Sequence, residues 1–570
     1  MPGASNSSGS QSAVPADRPA PTTVAELVRS RADDAGVGLR FEGREWTWSE
    51  VVAEMEVRAR WLAASVGDGP PHVGVLLDNV PEYVFLLGGA ALAGCVLVGI
   101  NPTRRGEELA RDIRHVDCQL IVTDLEHIEL LDGLDLGAVG ERVLASDADA
   151  YRVALDGHRD GASPLPTPPS ADDLYLLIFT SGSTGAPKAV RMTQGRAAGS
   201  NGRVMGFRPD DVLYCAMPLF HGNALASMVF PAFGTGATLV LRRRFSASAW
   251  LPEIRDHGCT FTSTIGRVLT YILATPESEH DQDHRLKFVL APESSAVDMK
   301  TFKRRFGVAV FGGYGSSENA IVLSTSPGQP PDALGTPAPG TDVAVVDPET
   351  GEECPRARFD EDGRLLNADE AIGEIVGRDA LARFEGYYAN DEAAAARSRN
   401  GWYWSGDLAY RDEEGVFHFA GRNADWLRVD GENFAAAPVE RILRRYPGVT
   451  GVAVFGVPDD RTVDDQVMAV LELEAAGGFD PAAFDAFLDE QRDLGTKWSP
   501  RYLRLTSSLP VTATNKVDKA PLRHDRWLVE GDAVYWRPDR RDPLRPMTVA
   551  DRAEVRERFV ASGRLERLER

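Results

Sequence analysis

The chain has 570 residues, 43% of them hydrophobic, and carries 62 Lys and Arg against 85 Asp and Glu for a formal net charge of −23. That length is too great for one compact core and predicts at least two domains, while the acidic balance repels polyanions and argues against nucleic acid as the main partner. The five cysteines (Cys95, Cys118, Cys215, Cys259 and Cys354) lie far apart with no paired spacing, so the sequence predicts neither a zinc site nor a disulfide framework and fits a reducing cytoplasm.

Residues 1–22 are rich in Ser, Gly, Pro and Ala, lack the basic start and apolar core of a signal peptide, and read as a disordered tail. The run at 83–100 (YVFLLGGAALAGCVLVGI) approaches the length of a membrane span. Its Gly-Gly-Ala-Ala centre suits close helix packing and its Val-Leu-Val-Gly-Ile end suits a buried strand, so a helix followed by a strand is expected and no transmembrane segment. Short β-branched runs at 72–77, 120–123, 237–241 and 288–290 alternate with amphipathic stretches such as 51–63 and 106–114. That alternation predicts α/β units with mostly parallel sheets in a large N-terminal domain, 23–421. Beyond a boundary at 422–425 the pattern changes to a smaller α+β region, 426–545, with a strand at 452–455 and a helix at 481–491 capped by Asp480. Residues 546–570 alternate charges at helical spacing and read as a solvated helical tail or partner contact.

Five motifs carry chemistry. The apolar run at 177–179 breaks into Thr180, Ser181, Gly182, Ser183, Thr184 and Gly185, followed by Pro187 and Lys188. Glycines that free the backbone N–H groups, hydroxyl donors and a lysine suit a polyphosphate. The spacing is not that of a Walker A loop, which needs Gly-x4-Gly-Lys. A second segment holds Gly313, Tyr314, Gly315, Ser316, Ser317 and Glu318: an aromatic face for a purine, hydroxyl donors for an anionic oxygen, and a hard oxygen ligand for Mg²⁺ beside phosphate. The third, Trp402 to Asp407 (WYWSGD), ends in a carboxylate able to accept from both ribose hydroxyls. The fourth runs from Gly421 and Arg422 to Gly431, Glu432 and Asn433, and the fifth places Lys516 in a polar turn near the C-terminus.

Taken together in this order, the five motifs resemble the adenylate-forming superfamily of acyl-CoA synthetases, adenylation domains and luciferases, over roughly residues 23–545. The stretch 264–273 (TIGRVLTYIL), Asp283-His284, the Thr-Asn before Lys516, and Tyr535-Trp536 with Pro546-Met-Thr look like the fatty-acid transport protein and very-long-chain acyl-CoA synthetase group. The resemblance implies two half-reactions. A carboxylate attacks the α-phosphorus of MgATP to give acyl-AMP and pyrophosphate, and the thiol of CoA then displaces AMP. It implies that Lys516 stabilises the first transition state, that Glu318 holds Mg²⁺ and that residues 180–188 neutralise pyrophosphate. Asp407 and Arg422 would hold ribose, Tyr314 with its flanking glycines would pack on adenine, and Ser317 would assist at the phosphate. His221, in PLFHGN, would border and gate the acyl site, or else be a hydrogen-bonded loop histidine. Gly431 and Glu432 would approach pantetheine once the C-terminal domain has swung about 422–425.

The sequence departs from the family pattern at Ala424, at Asn515 before the lysine, and at 291–295 (APESS), where many members carry an adenine-contacting Gly-Gly-Ala-Pro. The apolar faces of 265–273 and 220–230 can line an acyl pocket or serve as plain core. The resulting expectation is an acyl-CoA synthetase acting on a medium- to long-chain fatty acid with ATP, Mg²⁺ and CoA. Three alternatives stand beside it: a CoA ligase for a steroid or alicyclic acid, an acyl-AMP ligase loading a carrier protein, and a silent nucleotide or lipid binder. The sequence leaves room for peripheral contact with a membrane and does not set the oligomeric state.

Overall fold

The computed structural model describes residues 21–569 except 162, 181–186, 327, 331–332, 362–364, 423–425, 430–431, 460–464, 474–478, 492–493, 496, 513–515, 530, 541 and 563. Two largely parallel sheets form the N-terminal half. One has seven strands and runs from Val310–Phe311 through Phe288–Leu290, Phe261–Ser263, Val212–Cys215, Thr238–Leu241 and Val37–Phe41 to an antiparallel edge at Arg44–Thr47. The other has six, ordered Val143–Ala145, Leu120–Thr123, His72–Val75, Val96–Gly99, Leu174–Phe179 and Ala189–Thr193, with only the last pair antiparallel.

The run at 83–100 is a helix and then a strand, Pro81–Ala93 and Val96–Gly99. Pro81 occupies the first turn, where its missing N–H costs nothing, and Gly94 closes the helix at φ 68°. Gly88 and Gly89 let this helix press onto Trp48–Ser65, since a Cβ at either would collide with Met55 or Arg58. That second helix starts on a reciprocal Thr47–Glu50 capping box. Among the described residues no helix is long and apolar enough to cross a membrane.

A third sheet departs from the parallel expectation. Val343–Val346, Gly373–Gly377, Ser398–Arg399, Trp402–Arg411 and Phe417–Arg422 pair antiparallel throughout. No crossover helix separates the long strands Trp402–Arg411 and Phe417–Arg422, so the chain can only fold back on itself. The smaller C-terminal domain is a five-stranded sheet of Val449–Pro458, Asp465–Leu473, Tyr502–Thr506, Ala533–Trp536 and Arg545–Pro546. Helices cover it, among them Pro481–Glu490, whose first turn Asp480 caps by accepting from the Ala482 amide.

The solvated tail expected at 546–570 is corrected here. Its helix Val549–Ala561 buries Val555 and Phe559, and Leu568 follows them into one cluster with Trp527 and Trp536. Charges dominate its composition, but the residues at 555 and 559 share one face of the helix and that face is apolar. All five cysteines are free thiols and buried. Burial pushes Cys95, Cys118, Cys215 and Cys259 up to about 12 and Cys354 up to about 11.

Candidate active site

The loop at 181–186, which holds Ser181, Gly182, Ser183, Thr184 and Gly185, lies outside the described residues, but both its ends are placed. It joins the antiparallel strands Leu174–Phe179 and Ala189–Thr193, and the Thr180 amide donates to the Lys188 carbonyl at 3.1 Å. Asn390 Nδ2 donates to the Pro187 carbonyl at 3.1 Å, and the Lys188 ammonium stands 6.0 Å from the centre of the Tyr387 ring.

Tyr387 then leads to the second motif. Its hydroxyl donates to Glu318 Oε1 at 2.6 Å, and Arg397 Nε donates to that hydroxyl at 3.4 Å. Burial and the Glu318 carboxylate hold the Tyr387 phenol protonated, well above its ordinary range. Glu318 follows the short strand Gly313–Gly315 together with Ser316 and Ser317, and the next residue, Asn319, sits at φ 48°. Arg196 Nη2 donates to the Asn319 carbonyl and Arg383 Nε to the Ala320 carbonyl at 3.0 Å, so two arginines hold the turn that aims the carboxylate.

On the other side of the same strand the Tyr314 hydroxyl donates to Asp407 Oδ2 at 2.6 Å, and burial and that carboxylate raise the phenol well above its ordinary value. Asp407 lies opposite Arg422 in the register of Trp402–Arg411 with Phe417–Arg422. Gly406 before it has φ 75°, and a Cβ there would strike the Arg397 guanidinium, so this position needs glycine on two counts. The second, third and fourth motifs therefore meet through hydrogen bonds and strand pairing. Gly431 lies outside the described residues. Glu432 opens the strand Glu432–Ala435 opposite Val429, at the end of a separate two-stranded pair.

Lys516 is clasped by Thr512: the Thr512 amide donates to the Lys516 carbonyl at 2.7 Å and the Lys516 amide to Thr512 Oγ1 at 3.2 Å. Its ammonium reaches into the N-terminal half and donates to Glu293 Oε1 at 2.6 Å. His221 is close enough to feel that charge. Burial, with the Lys516 charge second, pushes its imidazole down to about 4, so the ring is neutral near pH 7. Its Nε2 is buried without a hydrogen-bond partner among the described residues, which does not match a hydrogen-bonded loop histidine, and its ring centre lies 4.3 Å from that of Phe220.

Phe220 also walls a cavity of about 310 Å³, together with Met217, Thr264, Val268 and Tyr271. The structure thus brings parts of 220–230 and 265–273 to one cavity. The wider stretch 225–233 is core: Leu225, Met228, Val229, Phe230 and Phe233 are buried in the main hydrophobic cluster.

Glu318 offers carboxylate oxygens, one of them bonded to Tyr387, of the kind a divalent cation takes. No group of three or more His, Cys, Asp or Glu stands together among the described residues. Mg²⁺ is commonly held by one or two carboxylates with substrate phosphates completing its shell. Tyr387, Arg397, Arg196 and Glu293 escaped the sequence reading. The first three lie in stretches with no repeating pattern, and Glu293 was visible only as a departure from the family pattern.

With this geometry in place, comparison with known proteins decides the family. Residues 25–388 match the family model described as AMP-binding enzyme. The chain belongs to the AMP-binding enzyme family. It is 49% identical over 547 residues to a steroid-22-oyl-CoA synthetase of Rhodococcus jostii, covering 95% of this chain and 98% of that protein. It is 41% identical over 517 residues to the medium/long-chain-fatty-acid–CoA ligase FadD17 of Mycobacterium tuberculosis, covering 88% and 96%. Among solved structures, ATP-bound MatB from Rhodopseudomonas palustris superposes with a TM-score of 0.77 at 25% identity, covering 88% of this chain and 98% of that one. This AMP-binding enzyme is an acyl-CoA synthetase using ATP, Mg²⁺ and CoA, with the α/β fold and the large and small domains read from its sequence.

Proposed function

We propose that the enzyme activates a medium- to long-chain fatty acid through acyl-AMP to its CoA thioester, and that Lys516 acts in the first half-reaction. The observation that carries this reading is the Lys516 ammonium entering the N-terminal half beside Glu293 and His221, next to the cavity wall. A carboxylate and a triphosphate repel each other, and a cation placed between them offsets the charge that develops as the oxygen attacks phosphorus. Glu318, oriented by Tyr387, holds Mg²⁺, which when bound neutralises phosphate charge. Lys188 and the hydroxyls of residues 180–184 meet the departing pyrophosphate, with Ser316 and Ser317 at the phosphate. Asp407 accepts from ribose with Arg422 alongside, and Tyr314 with Gly313 and Gly315 packs on adenine. His221, neutral and apolar in character, gates the cavity. Residues 422–425 serve as the pivot that later brings Gly431 and Glu432 towards pantetheine. The five buried free thiols support a cytoplasmic, reducing location.

A steroid side-chain acid is the second reading. The 49%-identical relative favours it, as does a compact cavity at the lower end of the usual range for ligand sites, with hydroxyls such as Thr264 in its wall. Carboxylate-dependent ATP–pyrophosphate exchange across fatty, steroidal and aromatic acids, with and without CoA, separates the readings. Exchange and acyl-CoA with fatty acids support the first, the same with steroid acids supports the second, and exchange without acyl-CoA points to a carrier-protein acceptor.

A further inference from the structure

We infer that Arg267 is a positioning residue for the adenylation half-reaction, tying the wall of the acyl cavity to the loop that carries Lys516. This rests on the reading of Lys516 given above. The helix Gly266–Leu273 presents Tyr271 to the cavity, and Arg267, one turn earlier, donates from Nε to the Tyr271 hydroxyl at 2.8 Å. The same guanidinium lies over the Tyr271 ring, 5.5 Å from its centre, so the tyrosine fixes both its position and its direction. Its Nη2 meets Glu472 Oε2 at 3.5 Å, and Glu472 belongs to the strand Asp465–Leu473 of the C-terminal domain.

Glu472 does not hang free in that domain. Its Oε2 also accepts from the Leu509 amide at 2.7 Å, and its Oε1 accepts from Thr450 Oγ1 at 3.2 Å. Leu509 is buried three residues before Thr512, which clasps the Lys516 backbone. One carboxylate thus joins Arg267, the hydrogen-bond partner of the cavity residue Tyr271, to the segment that leads to Lys516.

A second ion pair lands on the same unit. The Gly266 amide donates to the Pro292 carbonyl at 3.0 Å, and a Cβ at Gly266 would collide with the carbonyl of Glu293, so the helix start and the 292–294 turn are one packed piece. Glu293 stands at φ 66°, outside the range most side chains favour, and it is the residue that receives Lys516. These two ion pairs, Arg267–Glu472 and Lys516–Glu293, therefore rest on one packed unit that also presents Tyr271 to the cavity. Whatever acid orders Tyr271 also orders the dock for the C-terminal domain, and by linkage a docked domain favours the filled cavity equally.

The test is a cycle of Arg267→Gln, Glu472→Gln and the double variant, with Lys516→Ala as reference. Glutamine at 472 keeps an acceptor for the Leu509 amide. Pyrophosphate exchange should fall about fivefold in each single variant, the scale of a partly exposed ion pair. The double variant should be no worse than the weaker single, while thioester formation from supplied acyl-AMP stays at the parent level and shows the protein to be folded. Exchange unchanged in the single variants, or losses that multiply in the double, or an equal fall in both half-reactions, would overturn the inference. If Lys516→Ala itself keeps full exchange, it is the underlying reading of the lysine that fails.

Discussion

Around Glu318 and Asp407 the links are tyrosine–carboxylate hydrogen bonds made within the N-terminal half, whereas Lys516 arrives from 223 residues further along the chain and ends on a half-exposed glutamate. The proposed nucleotide side is held internally, by hydrogen bonds from Tyr314, Tyr387, Arg196 and Arg397. The lysine side is held by ion pairs with solvent access, each worth a kcal/mol or less. The proposed mechanism, in which the lysine is later withdrawn, asks for this asymmetry: strong links within the N-terminal half and weak ones to the C-terminal domain.

The largest effect that would break the comparison is at Lys516. Lys516→Ala should lower pyrophosphate exchange by about 10²–10³-fold, the scale of losing one transition-state charge, and leave thioester formation from supplied acyl-AMP intact. Equal losses in both would remove the lysine from the moving side. Next comes the body that carries it. Phe559→Ala should cost about 3–5 kcal/mol of C-terminal domain stability in denaturant melts, since the ring is fully buried among Trp527, Trp536 and Val555. A shift under 1 kcal/mol would return residues 549–561 to the role of a solvated tail. On the fixed side, Tyr387→Phe frees Glu318 and should raise the KM for MgATP about tenfold with little change in the acid's KM. A variant whose KM for MgATP equals the parent's would show that the hydrogen bond orients nothing.

The smallest effect is in pH dependence. The folded His221 ring stays neutral down to about 4 against an ordinary value of about 6.5. The unfolded chain therefore binds a proton first, and stability falls as pH drops from about 6.5 towards 4. His221→Gln should lose less stability than the parent across that window. Parallel curves for the two proteins would mean that the imidazole is neither buried nor near the lysine.

Much of this architecture was legible in the sequence, for reasons specific to each part. Helix and strand at 81–99 followed from small residues at a packing face and β-branched residues at a buried edge. The Glu318, Asp407 and Lys516 motifs could be picked out as candidates because glycines, hydroxyls and charges must sit close together in sequence to form a tight turn. What could not be read were partners distant in sequence. Tyr387 and Glu318 are 69 residues apart and Arg267 and Glu472 more than 200, and neither pair leaves a local pattern. The C-terminal helix misled because two apolar residues on one face, at 555 and 559, are few beside its many charges.

The buried thiols bear on the chemistry in another way. An acyl adenylate transfers its acyl group to whatever thiolate reaches it, and a protein rich in accessible cysteines would consume its own intermediate. Burial holds all five thiols in the protonated form near pH 7 and packs their sulfurs away from solvent. The protein is thereby chemically deaf to its own intermediate, and an external thiol is left as the nucleophile that can accept the acyl group.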